Sequence, residues 1–175
     1  MIWFFLKKTY LIFIYPAILL KIFLDYYLHK VEPETEVFNN LYQGRYYFFK
    51  SDLERLKNKN IECVIDLTCE FDNKSPFSFF KQNNITYYNF KTWDWRPVKK
   101  EHLENILGII DKNLWENKKV LVNCAFWHRR SFQWILYYLI KIKKHNFNEA
   151  FSLVKNKRIV SNLNCIQLKK FKQYL

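Results

Sequence analysis

The chain has 175 residues and carries 29 Lys and Arg against 16 Asp and Glu, a formal charge of +13 at neutral pH. Apolar residues make up 50% and aromatics 20%, enough for one domain with a substantial core, which excludes collagen-like, linker-like and disordered chains. The two glycines, Gly44 and Gly108, stand too far apart for the glycine-rich turns that bind dinucleotides and nucleotides.

Residues 1–28 differ from the rest. Ile2 to Leu6 is apolar, Lys7 and Lys8 interrupt, Tyr10 to Leu20 is apolar again, and Lys21 and Asp25 break the next stretch, around Ile22–Leu24 and Tyr26–Leu28. No uninterrupted apolar run reaches the roughly 20 residues that a helical span needs. The segment reads as a hydrophobic helix in one of three settings. It tilts through a bilayer from Thr9 to Leu28 with Lys21 snorkelling, lies in the interface anchored by Trp3, Tyr10, Tyr15, Tyr26 and Tyr27, or docks as an ordinary helix. Membrane association is the expectation. No small-residue cleavage site comes after it, which counts against a removed signal peptide. The expected division is residues 1–30 as a membrane-associating or docking helix and 31–175 as the functional domain.

Pro33 within Val31–Val37 marks a linker. Leu41 to Tyr47 predicts strand structure, with Gly44 permitting a bend. Ser51-Asp52-Leu53-Glu54 has capping-box spacing and predicts a helix to about Asn58. The apolar run Cys63–Leu67 predicts a buried strand. Ser75-Pro76 opens a helix through Gln82, with Pro at the favoured first position. Ile85 to Phe90 is a strand, and residues 91–98 a loop holding Trp93-Asp94-Trp95. Glu101 to Trp115 is helical, with Leu103, Ile106, Leu107 and Ile110 on one face. Lys119–Asn123 is the next strand, leading at once into a helix over Ser131–Lys144 that is apolar almost all round, with its cations at the C-terminal dipole. Helices over Phe147–Lys155 and Leu163–Tyr174 complete the chain. Short strands alternating with helices predict an α/β domain with a mostly parallel central sheet.

Most of the positive charge is Lys spread along helices, as on a solvated face. No nucleic-acid-binding motif accompanies it, so the expected partner is a phosphorylated substrate or an anionic membrane and not nucleic acid. The cysteines are Cys63, Cys69, Cys124 and Cys165, and no CxxC occurs, so neither a zinc site nor dithiol chemistry is expected. Their pattern suits a reducing compartment.

Chemistry concentrates in Val120-Leu121-Val122-Asn123-Cys124-Ala125-Phe126-Trp127-His128-Arg129-Arg130-Ser131. This is Cys-x5-Arg-Ser between a buried strand and a buried helix. A helix N-terminus presents unsatisfied N–H groups and partial positive charge, which suits a dianion and favours a thiolate. An Arg six residues on closes the loop and offers a fork to two phosphate oxygens. Without an anion, Arg129 and Arg130 would be cations of the wrong sign at a helix start. A leaving alcohol needs a proton from an acid on another loop, and Asp94 between two tryptophans fits, because partial desolvation keeps it protonated.

From about Val37 onward the chain resembles the dual-specificity branch of the protein tyrosine phosphatases, and more closely its small membrane-associated bacterial members. Asn40-Leu41-Tyr42-Gln43-Gly44-Arg45 looks like the family's opening strand, and Asp52-Leu53 with Leu56 like its first helix. Val64-Ile65-Asp66-Leu67-Thr68 with Glu70-Phe71 looks like the next strand and turn. Thr92-Trp93-Asp94-Trp95 resembles the acid loop, and Glu149-Ala150 and Val160-Ser161-Asn162 the closing helices. The resemblance implies a phosphatase fold in which Cys124 is the nucleophile and Arg130 binds phosphate. Asp94 is then general acid and afterwards base, and Ser131 eases departure of the thiolate. Backbone N–H groups from Ala125, Phe126, Trp127, His128, Arg129 and Arg130 cradle the phosphate, with no metal or cofactor. The implied substrates are phosphotyrosine, phosphoserine/threonine or lipid phosphate, and the implied setting is a membrane-associated protein with its catalytic domain in the cytoplasm. Asn123 stands where the family usually has His, and Trp127 where it usually has Gly. These departures motivate a second reading, a pseudophosphatase that binds phosphate as a scaffold. A thiosulfate sulfurtransferase is a third, against which Arg130-Ser131 and Asp94 count.

Overall fold

The computed structural model describes residues 32–69, 74–92, 100–125, 129–159 and 161–163, with isolated positions at 16, 20, 24, 168, 169 and 171. The chain divides into two compact units, residues 1–33 and 34–175. In the first, Pro16, Leu20 and Leu24 are helical and exposed. Among the described residues, no helix is long and apolar enough to cross a membrane.

The second unit runs β1 (Glu34–Phe38), β2 (Leu41–Arg45), α1 (Lys50–Asn58), β3 (Cys63–Asp66), α2 (Lys74–Gln82) and β4 (Thr86–Asn89). It continues through α3 (Lys100–Trp115), β5 (Val120–Cys124), α4 (Arg130–Lys141) and α5 (Phe147–Lys157). Among the described residues the strands form one sheet in the order β1-β2-β5-β3-β4. β2, β5, β3 and β4 are parallel, and β1 pairs antiparallel at the edge. This is the mostly parallel α/β sheet the alternation predicts.

Strand side chains alternate between two cores, as a period of two requires. Cys63, Ile65, Val120 and Val122 pack with Ile106 and Ile110 of α3, Phe132, Ile135 and Leu136 of α4, and Val154 of α5. Tyr42, Val64 and Leu121 pack on the other side with Leu56 of α1 and Phe80 of α2. With both faces covered, β5 is buried along its whole length and reads as an apolar run. Helix α4 is buried from Arg130 through Leu139.

Three sequence expectations need correction. The stretch read as a linker contains β1, which looks polar because Glu34 and Glu36 alternate with Thr35. Glu34 is nonetheless 2% exposed, and its carboxylate is paired with the Arg55 guanidinium at 2.8 Å. Gly44 makes no bend: β2 continues through it, and its φ is not positive. Helix α1 begins one residue before Ser51. Its start is closed not by Ser51 and Glu54 but by Asp52, whose Oδ2 accepts the N–H groups of Phe48 (2.9 Å) and Phe49 (3.1 Å). Most of the last predicted helix, over Leu163–Tyr174, lies outside the described residues.

The scarcity of glycine has a structural counterpart. Asn60, Asn84 and Asn117 have φ of 56° and sit just past α1, α2 and α3. In each case the next residue bonds back into the helix: Ile61 N–H to Leu56 O at 3.0 Å, Ile85 to Phe80 at 2.9 Å and Lys118 to Asn113 at 2.9 Å. This is the left-handed helix stop usually made by Gly, here made by Asn. The same device ends each helix that leads into β3, β4 or β5.

Candidate active site

β5 is the middle strand, and its neighbours β2 and β3 precede it in the chain on opposite sides. In parallel sheets such a position opens a crevice at the C-terminal strand edge. Cys124 is the last residue of β5 and pairs in register with Arg45 of β2. It is 2% exposed and a free thiol. The chain then turns into α4, whose first residues are Arg130 and Ser131. Ser131 Oγ lies 3.4 Å from Cys124 Sγ.

Arg130 is also 2% exposed. Its Nη1 donates to the carbonyl oxygens of Leu67 (3.2 Å) and Thr92 (2.6 Å), just past the ends of β3 and β4. A buried guanidinium held by two carbonyls has a fixed orientation. Thr92 is itself anchored, its N–H donating to Leu67 O at 3.2 Å and its carbonyl also accepting from Cys69 Sγ at 3.5 Å. The loop expected to carry the acid therefore springs from the residue that holds Arg130.

The structure thus brings together Cys124, Arg130 and Ser131. Ala125 is buried beside them, and Arg129 is partly exposed ahead of α4. Asp94, Phe126, Trp127 and His128 lie outside the described residues, as do Trp93 and Trp95.

Asn123 points away from the thiol chemistry and toward β3. It is fully buried, and its Nδ2 donates to Asp66 Oδ1 at 3.3 Å. Asp66 also accepts from Thr68 N–H (2.9 Å), Tyr87 Oη (2.8 Å) and Tyr47 Oη (3.1 Å). Burial pushes its carboxyl above the ordinary range, and the hydrogen bonds from Thr68, Tyr87 and Tyr47 oppose this without cancelling it. Burial likewise pushes the Cys63 thiol up to about 12, which makes it inert at neutral pH.

Residue-by-residue reading of the sequence missed Gln43, Arg158 and Ser161 as site neighbours. Gln43 Nε2 donates to Ser131 Oγ at 3.3 Å, and Gln43 Oε1 accepts from Ser161 Oγ at 2.9 Å. Arg158, 0% exposed, donates through Nη1 to Gln43 O at 3.1 Å and to Thr35 Oγ1. The available signal was Gln43, an uncharged polar residue inside a stretch that reads as a strand.

Cys124 thus ends the central parallel strand, with buried Arg130 and the Ser131 hydroxyl at the start of the following helix. Residues 41–174 match the family described as dual specificity phosphatase, catalytic domain, and the chain belongs to that family. Human protein phosphatase Slingshot homolog 2 is 26% identical over 151 residues, covering 84% of this chain and 10% of that protein. The chain thus spans about a tenth of that relative's length. Among solved structures, the active form of Tk-PTP superposes with a TM-score of 0.72 at 18% identity, covering 81% of this chain and 95% of the other. PTPMT1 in complex with PI(5)P superposes at 0.70 with 19% identity, covering 82% and 94%. Both likenesses are of fold.

Proposed function

We propose that the protein hydrolyses phosphate monoesters through a phosphocysteine. Cys124 Sγ attacks phosphorus, the ester P–O bond breaks, and Asp94 gives its proton to the leaving oxygen. Water then attacks phosphorus, Asp94 takes its proton, and the S–P bond breaks with the electron pair returning to sulfur. Arg130 takes two phosphate oxygens in both steps, and the Ser131 hydroxyl donates to the departing sulfur. The N–H groups of residues 125–130 complete the anion site. The observation that carries this reading is the approach of Cys124 Sγ to Ser131 Oγ at 3.4 Å, with the Arg130 guanidinium held on the carbonyls of Leu67 and Thr92. All three groups favour turnover over a phosphate-binding scaffold, although Asn123 and Trp127 depart from the usual pattern. Cys124→Ser is expected to abolish hydrolysis of an aryl phosphate while retaining binding of the anion. Undiminished turnover in that variant overturns the mechanism.

The substrate we propose is a phosphoprotein or phospholipid presented at a membrane, with residues 1–28 holding the catalytic domain on its cytoplasmic side. The apolar, aromatic-rich sequence of that segment supports this. The likeness of fold to PTPMT1, solved with PI(5)P, adds support for lipid phosphate. Flotation with anionic vesicles tests the placement. Comparing phosphopeptide with vesicle-borne phosphoinositide as substrate separates the two classes.

A further inference from the structure

We propose that Gln43 is a positioning residue for the Cys124 reaction, acting through Ser131 by fixing where the Ser131 hydroxyl proton points. The proposal rests on the phosphatase reading of the site. Gln43 lies in β2, two residues before the strand partner of Cys124. Its carboxamide bridges two hydroxyls, Nε2 donating to Ser131 Oγ at 3.3 Å and Oε1 accepting from Ser161 Oγ at 2.9 Å. Gln43, Ser131 and Ser161 are each 0% exposed, so bulk water does not compete for these bonds. The backbone of Gln43 is held by Arg158 on its carbonyl at 3.1 Å. Ser161 is placed by its own N–H on Arg158 O (3.0 Å) and by Lys155 Nζ on its carbonyl (2.9 Å).

A serine hydroxyl has one proton and two lone pairs, whereas an amide N–H only donates, and this difference sets the direction of each bond. With Gln43 Nε2 on a Ser131 lone pair, the Ser131 proton goes to the other neighbour, Cys124 Sγ at 3.4 Å. That polarity stabilises a thiolate before attack and a departing sulfur afterwards. A turned amide would present Oε1 to Ser131 and draw the proton off the sulfur. In the observed orientation Oε1 takes the Ser161 proton, which leaves Nε2 for Ser131. The polarity of the bond at the nucleophile is therefore set by β2 and by the turn after α5, segments that touch no reacting atom.

The test uses the full chain and two readouts. One is the pH dependence of Cys124 alkylation by iodoacetamide, followed on the Cys124 peptide by mass spectrometry. The other is the rate of phosphocysteine formation against the rate of its hydrolysis with an aryl phosphate. Gln43→Glu, ionised, only accepts, so it captures the Ser131 proton. The expected result is an upward move of about one pH unit in half-maximal alkylation, and phosphocysteine hydrolysis about tenfold slower. In a Ser131→Ala background the same substitution is expected to change either readout by less than about twofold. Gln43→Met, which neither donates nor accepts comparably, is expected to fall between wild type and Gln43→Glu. Equal effects of Gln43→Glu with and without the Ser131 hydroxyl overturn the proposal, as does an unchanged alkylation profile. If Gln43→Glu does not fold, Ser161→Ala decides: a smaller upward move that vanishes in Ser131→Ala supports the proposal, and a wild-type profile overturns it. Alkylation needs no turnover. A wild-type chain that alkylates but hydrolyses nothing defeats the phosphatase reading and leaves the Gln43 test standing.

Discussion

Asp66 and Asn123 face each other across the β3–β5 pair, one position before Cys124, and the Asn123 amide donates to Asp66 at 3.3 Å. This bond ties the end of β5 to a carboxyl that burial holds above its ordinary range. The native state therefore keeps the Asp66 proton to higher pH than the unfolded chain does. Stability must then fall as pH rises from the ordinary carboxylate range through the native value. Asp66→Asn removes this slope. Thermal unfolding of variant and wild type from about pH 4 to pH 7 is expected to show the variant gaining relative stability as pH rises. A pH-independent difference would contradict the assignment.

Asp52 behaves in the opposite sense. Burial alone would raise its carboxyl, but the Arg45 charge and hydrogen bonds from Arg55, Phe49 and Arg45 outweigh it and hold the carboxyl low. Arg45 meets it at 2.6 Å and Arg55 at 2.7 Å. The stabilisation is present above the unfolded value and is lost as pH falls through the native one. Asp52→Asn leaves Arg45, 6% exposed, without its carboxylate, and is expected to cost about 3–5 kcal/mol in denaturant unfolding at neutral pH. The deficit should shrink on acidification.

The Asn helix stops permit a gain. Asn60→Gly and Asn84→Gly relieve a left-handed backbone and are each expected to stabilise by about 0.5–1 kcal/mol. Asn60→Ala is expected to destabilise. Midpoints of urea unfolding for the three variants decide the order, and an Ala variant as stable as the Gly one would remove the conformational explanation.

Arg130→Lys keeps a charge but not the fork. It is expected to weaken inhibition by an oxyanion such as vanadate, and to lower aryl-phosphate kcat/KM, each by about a hundredfold. It should also lower the thermal midpoint, because the carbonyls of Leu67 and Thr92 lose their shared donor.

Asp94→Asn tests the acid on a graded series of aryl phosphates. The loss in kcat/KM is expected to be small for the most acidic phenol and to grow toward about a hundredfold as the leaving group becomes more basic. A uniform loss across the series would move the proton to another donor.

The parallel sheet was legible because its strands are short apolar runs separated by helices of clear period, such as Val120–Val122 before α4 and Leu103–Ile110 in α3. The approach of Ser131 to Cys124 was legible because the two share one short stretch of chain between β5 and α4. β1 was not legible, since its burial depends on Arg55 arriving from α1 to neutralise Glu34. Nor was the start of α1, where Asp52 takes the capping role that the spacing assigned to Ser51. Gln43 and Ser161 escaped because a side chain's hydrogen-bond partner in a distant segment has no local signature. Only the pairing of β2 with β5 brings Gln43 to Ser131, and only the turn after α5 brings Ser161 to Gln43.

The burial of Arg158 sets a minimum length for any working piece of this protein. A fragment ending after α4 would retain Cys124, Arg130, Ser131 and Asp94, the side chains that the proposed mechanism uses. It would lack the guanidinium that bridges Thr35 and the Gln43 carbonyl. Recombinant boundaries chosen by the reacting residues alone would thus yield a protein complete in its chemistry and deficient in its scaffold.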